Sequence, residues 1–138
     1  MLYRFCPQCG TPLQPQFLDG RQRMVCNECG FIHYNNPTPA AGALVARDNT
    51  ILLVKRKFEP GKGDWGLPGG LIEADETAAH AGVRETKEET GLDVRIRRIF
   101  DVVGTRVVAV KPVVLVIYEM DIIGGHLQAG DDAIDARF

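Results

Sequence analysis

From Ala40 onward the apolar residues fall into short runs separated by turn-forming residues, and the runs read as β-strands. Ala41–Arg47 is one, a turn follows at Asp48-Asn49, and Ile51–Lys57 is the next. Glu59-Pro-Gly-Lys-Gly-Asp64 has the composition of a flexible loop. Trp65-Gly-Leu-Pro-Gly-Gly70 then leads into a helix that Gly91 is placed to stop from its C′ position. Asp75 or its neighbour is expected to cap the helix start, and Asp75 and Glu76 suit the positive end of its dipole. The face turned to the core holds Ala78 or Ala79, Gly82 and Thr86, a small and weakly apolar seam from which lower stability is expected. Arg95–Val103 and Val107–Asp121 read as further strands, the second a long apolar run suited to a central position. Gly124-Gly125 starts another turn, and Ala133–Phe138 reads as a last strand.

The first third of the chain has a different texture. Phe17–Val25 reads as a hairpin around Asp19-Gly20. On either side of it stand Cys6-Pro-Gln-Cys9-Gly and Cys26-Asn-Glu-Cys29-Gly, which hold all 4 cysteines of the chain. Two CxxC knuckles, each followed by a glycine that permits a tight turn, suit tetrahedral binding of Zn2+ by four thiolates. A redox pair or disulfides are the competing reading, but a cytosolic setting disfavours structural disulfides and neither CxxC lies in the βαβ context of a thioredoxin-like site. A closed, structural zinc ribbon is therefore expected over residues 1–36, with metal binding supplying much of its stability. His33 beside this site is expected to pack or to bind solvent rather than to compete for the metal. Asn35–Pro39 is a linker, since Pro37 and Pro39 forbid helix and restrict their predecessors.

Composition narrows the class. A chain of 138 residues supports one domain, or a small module plus a compact one, and 45% hydrophobic with 25% charged residues is a globular balance. A net charge of −2 and a pI near 5.9 argue against a broad nucleic-acid or membrane surface. No run approaches a membrane span and the first residues form no apolar leader, so a cytoplasmic protein is expected.

The chemistry concentrates on the helix. Glu85, Glu88 and Glu89 are related by i,i+3 and i,i+4, so their oxygens can converge near the negative end of the helix dipole. A hard divalent cation, Mg2+ or Mn2+, is the natural partner for such a set. A solvated acidic face would explain the acids alone. However, Gly70, Glu76, Arg84-Glu85, Glu88-Glu89 and Gly91-Leu92 stand in one register: G, five residues, E, seven residues, R-E-x-x-E-E-x-G-L. That pattern resembles the Nudix box, the signature of hydrolases that cut a nucleoside diphosphate linked to another group. Thr86 stands where the family usually has an aliphatic residue, and Asp75 where glycine is common.

The resemblance implies an α/β fold, the Nudix α/β/α sandwich over residues 37–138, preceded by the small zinc ribbon. It implies Glu85, Glu88, Glu89 and the backbone carbonyl of Gly69 as Mg2+ ligands, with Arg84 and Glu76 as the ion pair that orients them. Asp131 or Asp132 would add a late-loop carboxylate. Arg56 at a strand end is a candidate for phosphate, with Lys55 and Lys57 beside it, and Trp65 a candidate for stacking on a base or packing under its loop. Ribbon and linker together (Cys29-Gly-Phe-Ile-His-Tyr-Asn-Asn-Pro37) are similar to those of ribbon-bearing NADH, ADP-ribose or FAD pyrophosphatases. The NADH branch is the weaker match, because its Ser-Gln-Pro-Trp signature is replaced by Asp101-Val-Val-Gly-Thr-Arg-Val107. Family members usually add a closing helix after the last strand. The chain ends at Arg137-Phe138 first, so Val113–Ile117 is expected to be exposed sheet and a homodimer a way to cover it. Two rival classes stand beside this reading. One is a non-catalytic nucleotide sensor, against which the intact glutamate set argues. The other is a ribbon binding nucleic acid through Arg21 and Arg23, against which the charge balance argues.

Overall fold

The computed structural model describes residues 3–107 and 111–138. The chain divides into two compact units, Met1–Pro37 and Thr38–Phe138.

In the first unit, β1 (Gln14–Leu18) and β2 (Arg21–Val25) pair antiparallel, and β3 (Ile32–His33) adds to β2. Asp19 and Gly20 both have positive φ, as the two-residue hairpin turn requires. The core is small: Cys6, Leu13 and Cys26, with Met24 and Phe31 packed against them. His33 packs against the ring of Tyr3, their centroids 4.5 Å apart.

The second unit runs through β4 (Thr38–Arg47), β5 (Thr50–Ile51), β6 (Leu53–Arg56), β7 (Trp65–Gly66), β8 (Gly69–Leu71) and α1 (Ala78–Thr90). It continues through β9 (Leu92–Val107), β10 (Lys111–Gly125) and β11 (Ala133–Arg137). The main sheet has the order β5-β4-β10-β9, with β8 on β4. It is mixed: β10 runs parallel to β4 and antiparallel to β9. The long apolar strand thus takes an interior position. Residues 108–110 of the strand expected at Val107–Asp121 lie outside the described residues.

The strand expected at Ile51–Lys57 is in fact two. Its first residues pair with β4, whereas β6 pairs with β7 and β11 in a second sheet. The change of sheet occurs at Leu52, which is 0% exposed and whose N–H donates to Val45 O at 2.9 Å. An apolar run shows that a stretch is buried, not which partner strand it takes.

Helix α1 lies over the main sheet, and Ala81, Leu92, Val94, Tyr118 and Met120 form the core beneath it with Ala41, Ala43, Val45 and Leu52. Its cap corrects the sequence reading. Thr77, not Asp75 or its neighbour, is the N-cap, its side chain accepting from the His80 N–H, and no acid stands in the first turn. Glu76 is occupied otherwise, as described below. The small seam has a reason: a Cβ on Gly82 would lie 3.0 Å from Met120 Cε and 3.4 Å from Tyr118 Cδ2, so its absence lets β10 side chains reach the helix. Thr86 is fully buried, and its hydroxyl donates to Gly82 O at 2.7 Å, which satisfies the polar group that replaces the usual methyls.

Val113–Ile117 is half-buried throughout rather than bare. Large exposed apolar side chains lie instead at Ile99, Phe100, Val102, Ile122 and Ile123. Among the described residues, no helix is long and apolar enough to cross a membrane.

Candidate active site

A cleft of about 550 Å³ opens beside the C-terminal half of α1. Helical spacing sends Glu85, Glu88 and Glu89 into it from one face, and the β8 glycines Gly69 and Gly70 form its floor beside them. The approach is close: a Cβ on Gly70 would lie 2.5 Å from the Glu85 carboxyl carbon, so only glycine leaves room for that acid. Glu89 is 8% exposed and accepts from the Gly69 N–H at 2.8 Å.

Arg84 ties the acids together. Its Nε and Nη2 donate to the two oxygens of Glu76, at 3.1 and 2.6 Å, in a bidentate pair. Its Nη1 donates to Glu85 at 2.8 Å and Glu88 at 2.9 Å, and Nη2 also reaches Leu71 O at 3.2 Å. Glu76 in turn accepts from the Glu73 N–H at 3.0 Å. One guanidinium thus links the loop before the helix, strand β8 and two of the glutamates.

Charge in the cleft is unbalanced. Six carboxylates line it (Glu73, Glu85, Glu88, Glu89, Asp131, Asp132) against three cations (Arg56, Lys57, Arg84). The consequences follow from burial and proximity. Hydrogen bonding to Arg84 holds the Glu76 carboxyl down to about 2. Burial pushes Glu85 up, against the pull of Arg84. Burial pushes Glu89 up to about 7, with Glu85 and Asp132 adding to the rise and the Gly69 hydrogen bond opposing it. The buried Glu89 and half-buried Glu85, both with raised pKa, and the other carboxylates beside them offer hard oxygen donors, a set that fits a divalent cation such as Mg2+ or Mn2+. Among the described residues, the four cysteines form the one group of three or more ligands within 4.8 Å of one another.

Arg56 lines the cleft with its Nε fixed to Pro60 O at 2.9 Å. Among the described residues neither Arg56 nor Lys57 has a carboxylate partner within ion-pair distance, although both stand in a cleft rich in acids. Asp131 and Asp132 both line the cleft, whereas Trp65 does not. The Trp65 ring lies on β7, with Arg137 5.0 Å and Lys55 Nζ 5.9 Å from its centroid. Phe58 and Leu71, which the sequence reading did not assign to the site, and Val113 and Leu115, which it expected as bare sheet, give the cleft an apolar wall. Two of these carried a signal: Val113 and Leu115 are two apart on one strand, hence on one face, and pair with Thr38 and Ala40 of β4.

The four cysteines make the second candidate site. Their sulfur atoms lie 3.5 Å apart for Cys6–Cys29, 3.4 Å for Cys9–Cys26 and 3.6 Å for Cys9–Cys29. A tetrahedron with Zn–S bonds of ~2.3 Å has edges of about 3.8 Å, so the cage is the right size for Zn2+. The hydrogen bond with the Thr11 hydroxyl is the first cause that brings Cys9 down to about 6. Cys29 moves the other way. The Phe31 backbone bond lowers it, but the Cys6 thiol, burial and the Cys9 thiol together push it up to about 12. Touching thiols share protons, and a bound cation is what allows all four to be thiolates.

A mixed sheet, one helix bearing a glutamate triplet over a glycine floor, and a four-cysteine ribbon define an α/β protein with an acid-lined cleft and a separate four-cysteine cage. The family profile described as NUDIX domain matches residues 36–136, and that described as Nudix N-terminal, a zinc ribbon, matches residues 4–35. The chain belongs to the Nudix family, with its N-terminal zinc ribbon. It is 42% identical over 106 residues to an ADP-ribose pyrophosphatase of Methanocaldococcus jannaschii, covering 76% of this chain and 63% of that protein. It is 33% identical over 125 residues to the NAD-capped RNA hydrolase NudC of Vibrio atlanticus, covering 91% of this chain and 44% of that protein. Among solved structures, a NUDIX hydrolase from Nitrosomonas europaea superposes with a TM-score of 0.83 at 30% identity, covering 98% of this chain and 76% of that one. The chain thus spans less than two thirds of either curated relative.

Proposed function

We propose that the chain hydrolyses the pyrophosphate bond of a nucleoside diphosphate linked to another moiety, with ADP-ribose as first substrate and a dinucleotide such as FAD next. The observation that carries this is the cleft itself: three helix glutamates, two of them held by Arg84, stand with two basic side chains that have no carboxylate partner among the described residues. Water adds across one P–O bond of the P–O–P bridge, leaving a nucleoside monophosphate and a phosphorylated remainder. Glu85, Glu88, Glu89 and the Gly69 carbonyl would hold Mg2+, with Asp131 or Asp132 as a further ligand. When bound, the metal supplies Lewis acidity and a water of lowered pKa.

The chain's own residues account for the rest. Arg84 keeps Glu85 and Glu88 aimed at the cleft while Glu76 holds Arg84 from behind. Arg56, its Nε fixed by Pro60, has its terminal nitrogens left for phosphate oxygens, and Lys57 adds a second positive charge. The wall of Phe58, Leu71, Val113 and Leu115 offers an apolar surface to a base or sugar and limits water. NAD-capped RNA is a further candidate after these, favoured by the resemblance to NudC over 91% of this chain. A sensor would have no use for three converging glutamates, two of them with raised pKa in the cleft. Four free thiols, not disulfides, support a structural zinc site and a cytoplasmic setting.

The test is a panel of ADP-ribose, FAD, NADH and NAD-capped RNA with Mg2+, reading phosphate after coupling to a phosphatase. ADP-ribose is expected to be turned over fastest, and a blank panel would end the proposal. A homodimer over the exposed apolar residues of β9 and β10 belongs to the same reading. Sedimentation at micromolar concentration is expected to show a dimer, and a monomer would rule it out.

A further inference from the structure

We propose that Gly130 is a positioning residue: its backbone, seated on the last turn of α1, fixes Asp131 and Asp132 beside the helix glutamates. The inference rests on the metal-dependent reading above. The last carbonyls of a helix have no partner within it. Here the loop before β11 supplies partners, Gln128 N–H donating to Thr90 O at 2.9 Å and Gly130 N–H to Glu89 O at 3.1 Å. The loop lies so close that a Cβ on Gly130 would stand 2.7 Å from Glu88 O. Just beyond, Ala133 N–H closes a turn onto Gly130 O at 2.9 Å, with Asp131 at positive φ. The far side is tied to the end of β6: Lys57 N–H donates to Asp132 O at 2.8 Å and Lys57 Nζ to Asp131 O at 3.1 Å.

The clasp therefore bonds the backbone of Glu89 and Thr90 and lies against Glu88 O, so the helix turn that carries Glu88 and Glu89 and the loop acids are set as one unit. A methyl at position 130 has a backbone atom in its way. Ordinary contact begins at 3.4 Å, so the loop would have to retreat by about 0.7 Å, and a misplacement of ~1 Å can cost ~10²-fold in rate. Gly124, at the end of β10, is the contrast. A Cβ there meets nothing nearer than Asp93 Oδ2 at 3.4 Å.

The experiment compares the full chain with G130A, D131N/D132N, the combined triple variant and the control G124A. Mn2+ binding is read by electron paramagnetic resonance and ADP-ribose hydrolysis by kcat and KM. G130A is expected to weaken Mn2+ binding several-fold and lower kcat about tenfold to a hundredfold, with KM little changed and G124A like wild type. The triple variant is expected to be no worse than D131N/D132N, because the glycine acts only through those acids. Additive losses, or wild-type Mn2+ binding by G130A, would overturn the inference while leaving the metal reading intact. A wild type that holds no Mn2+ would end both. Hydrogen exchange on the wild-type chain needs no variant: the Gln128 and Gly130 amides are expected to be as protected as the last turn of α1, and free exchange would mean there is no clasp.

Discussion

Glu89 is a carboxylic acid placed where water scarcely reaches, and its cost is visible as a pKa of about 7 against an ordinary 4.5. Without metal, the folded chain keeps a proton between those values that the unfolded chain has lost. Stability from this group therefore falls as pH rises from about 4.5 to about 7. Glu76 runs the other way: held at about 2, its contribution is complete above about 4.5 and lost as acid drives the pH toward 2. Thermal melts of metal-free protein are expected to show Glu89→Gln raising the melting temperature at pH 8 and hardly changing it at pH 5. Mg2+ should stabilise wild type at pH 8 and much less at pH 5. A variant that melts with the same pH profile as wild type would mean that Glu89 carries no such strain. At this scale the sequence revealed which acids share a helix face, because i,i+3 and i,i+4 spacing is local geometry. It did not reveal that one Arg84 side chain would serve Glu76, Glu85, Glu88 and Leu71 O, since that depends on where β8 comes to rest.

Elements set by local chemistry were legible and those set by distant partners were not. The Asp19-Gly20 hairpin, the stop at Gly91 and the interior place of the long apolar strand all follow from turn geometry and hydrophobic pattern. The helix start was misplaced because Asp75 and Glu76 look like capping acids. Glu76 is instead drawn to Arg84, eight residues on, and the helix begins after Thr77. The split at Leu52 was hidden for the same kind of reason, as it depends on β11, contributed by the last residues of the chain. The ribbon is the clearest case of an element that its own core cannot hold: besides the buried thiols of Cys6 and Cys26 that core holds only Leu13, with half-buried Met24 and Phe31 against it. Structural zinc is worth ~10–16 kcal/mol in small modules of this kind, so the metal decides whether such an element folds. Cys6→Ser or Cys26→Ser is expected to release one equivalent of zinc and unfold the first unit, while circular dichroism shows the Nudix unit keeping its strands and helix. Protein purified without chelator that holds no tightly bound metal would remove the basis for this account.

At the scale of the whole molecule, the cleft is a meeting of β4, the end of β6, β8, α1, β10 and the loop before β11, gathered from residue 40 to residue 132. The mixed sheet brings them together: β10 beside β4 sets Val113 and Leu115 near Ala40 and Gly42, and β11 on β6 carries Asp132 to Lys57. Motif spacing could name the glutamates, but the apolar wall and the placing of Arg56 and Lys57 beside them come from strand register, which no local pattern encodes. What unites these parts is an excess of negative charge that a divalent cation would balance beside phosphate-sized positive charge. The most direct measurement is therefore kcat for ADP-ribose at saturating Mg2+ in wild type and Glu85→Gln, with folding checked by circular dichroism. Loss of one carboxylate charge from the triplet is expected to lower kcat by about 10²-fold or more with the fold intact. Equal turnover by the two proteins would contradict the assignment of the cleft as a metal-dependent active site.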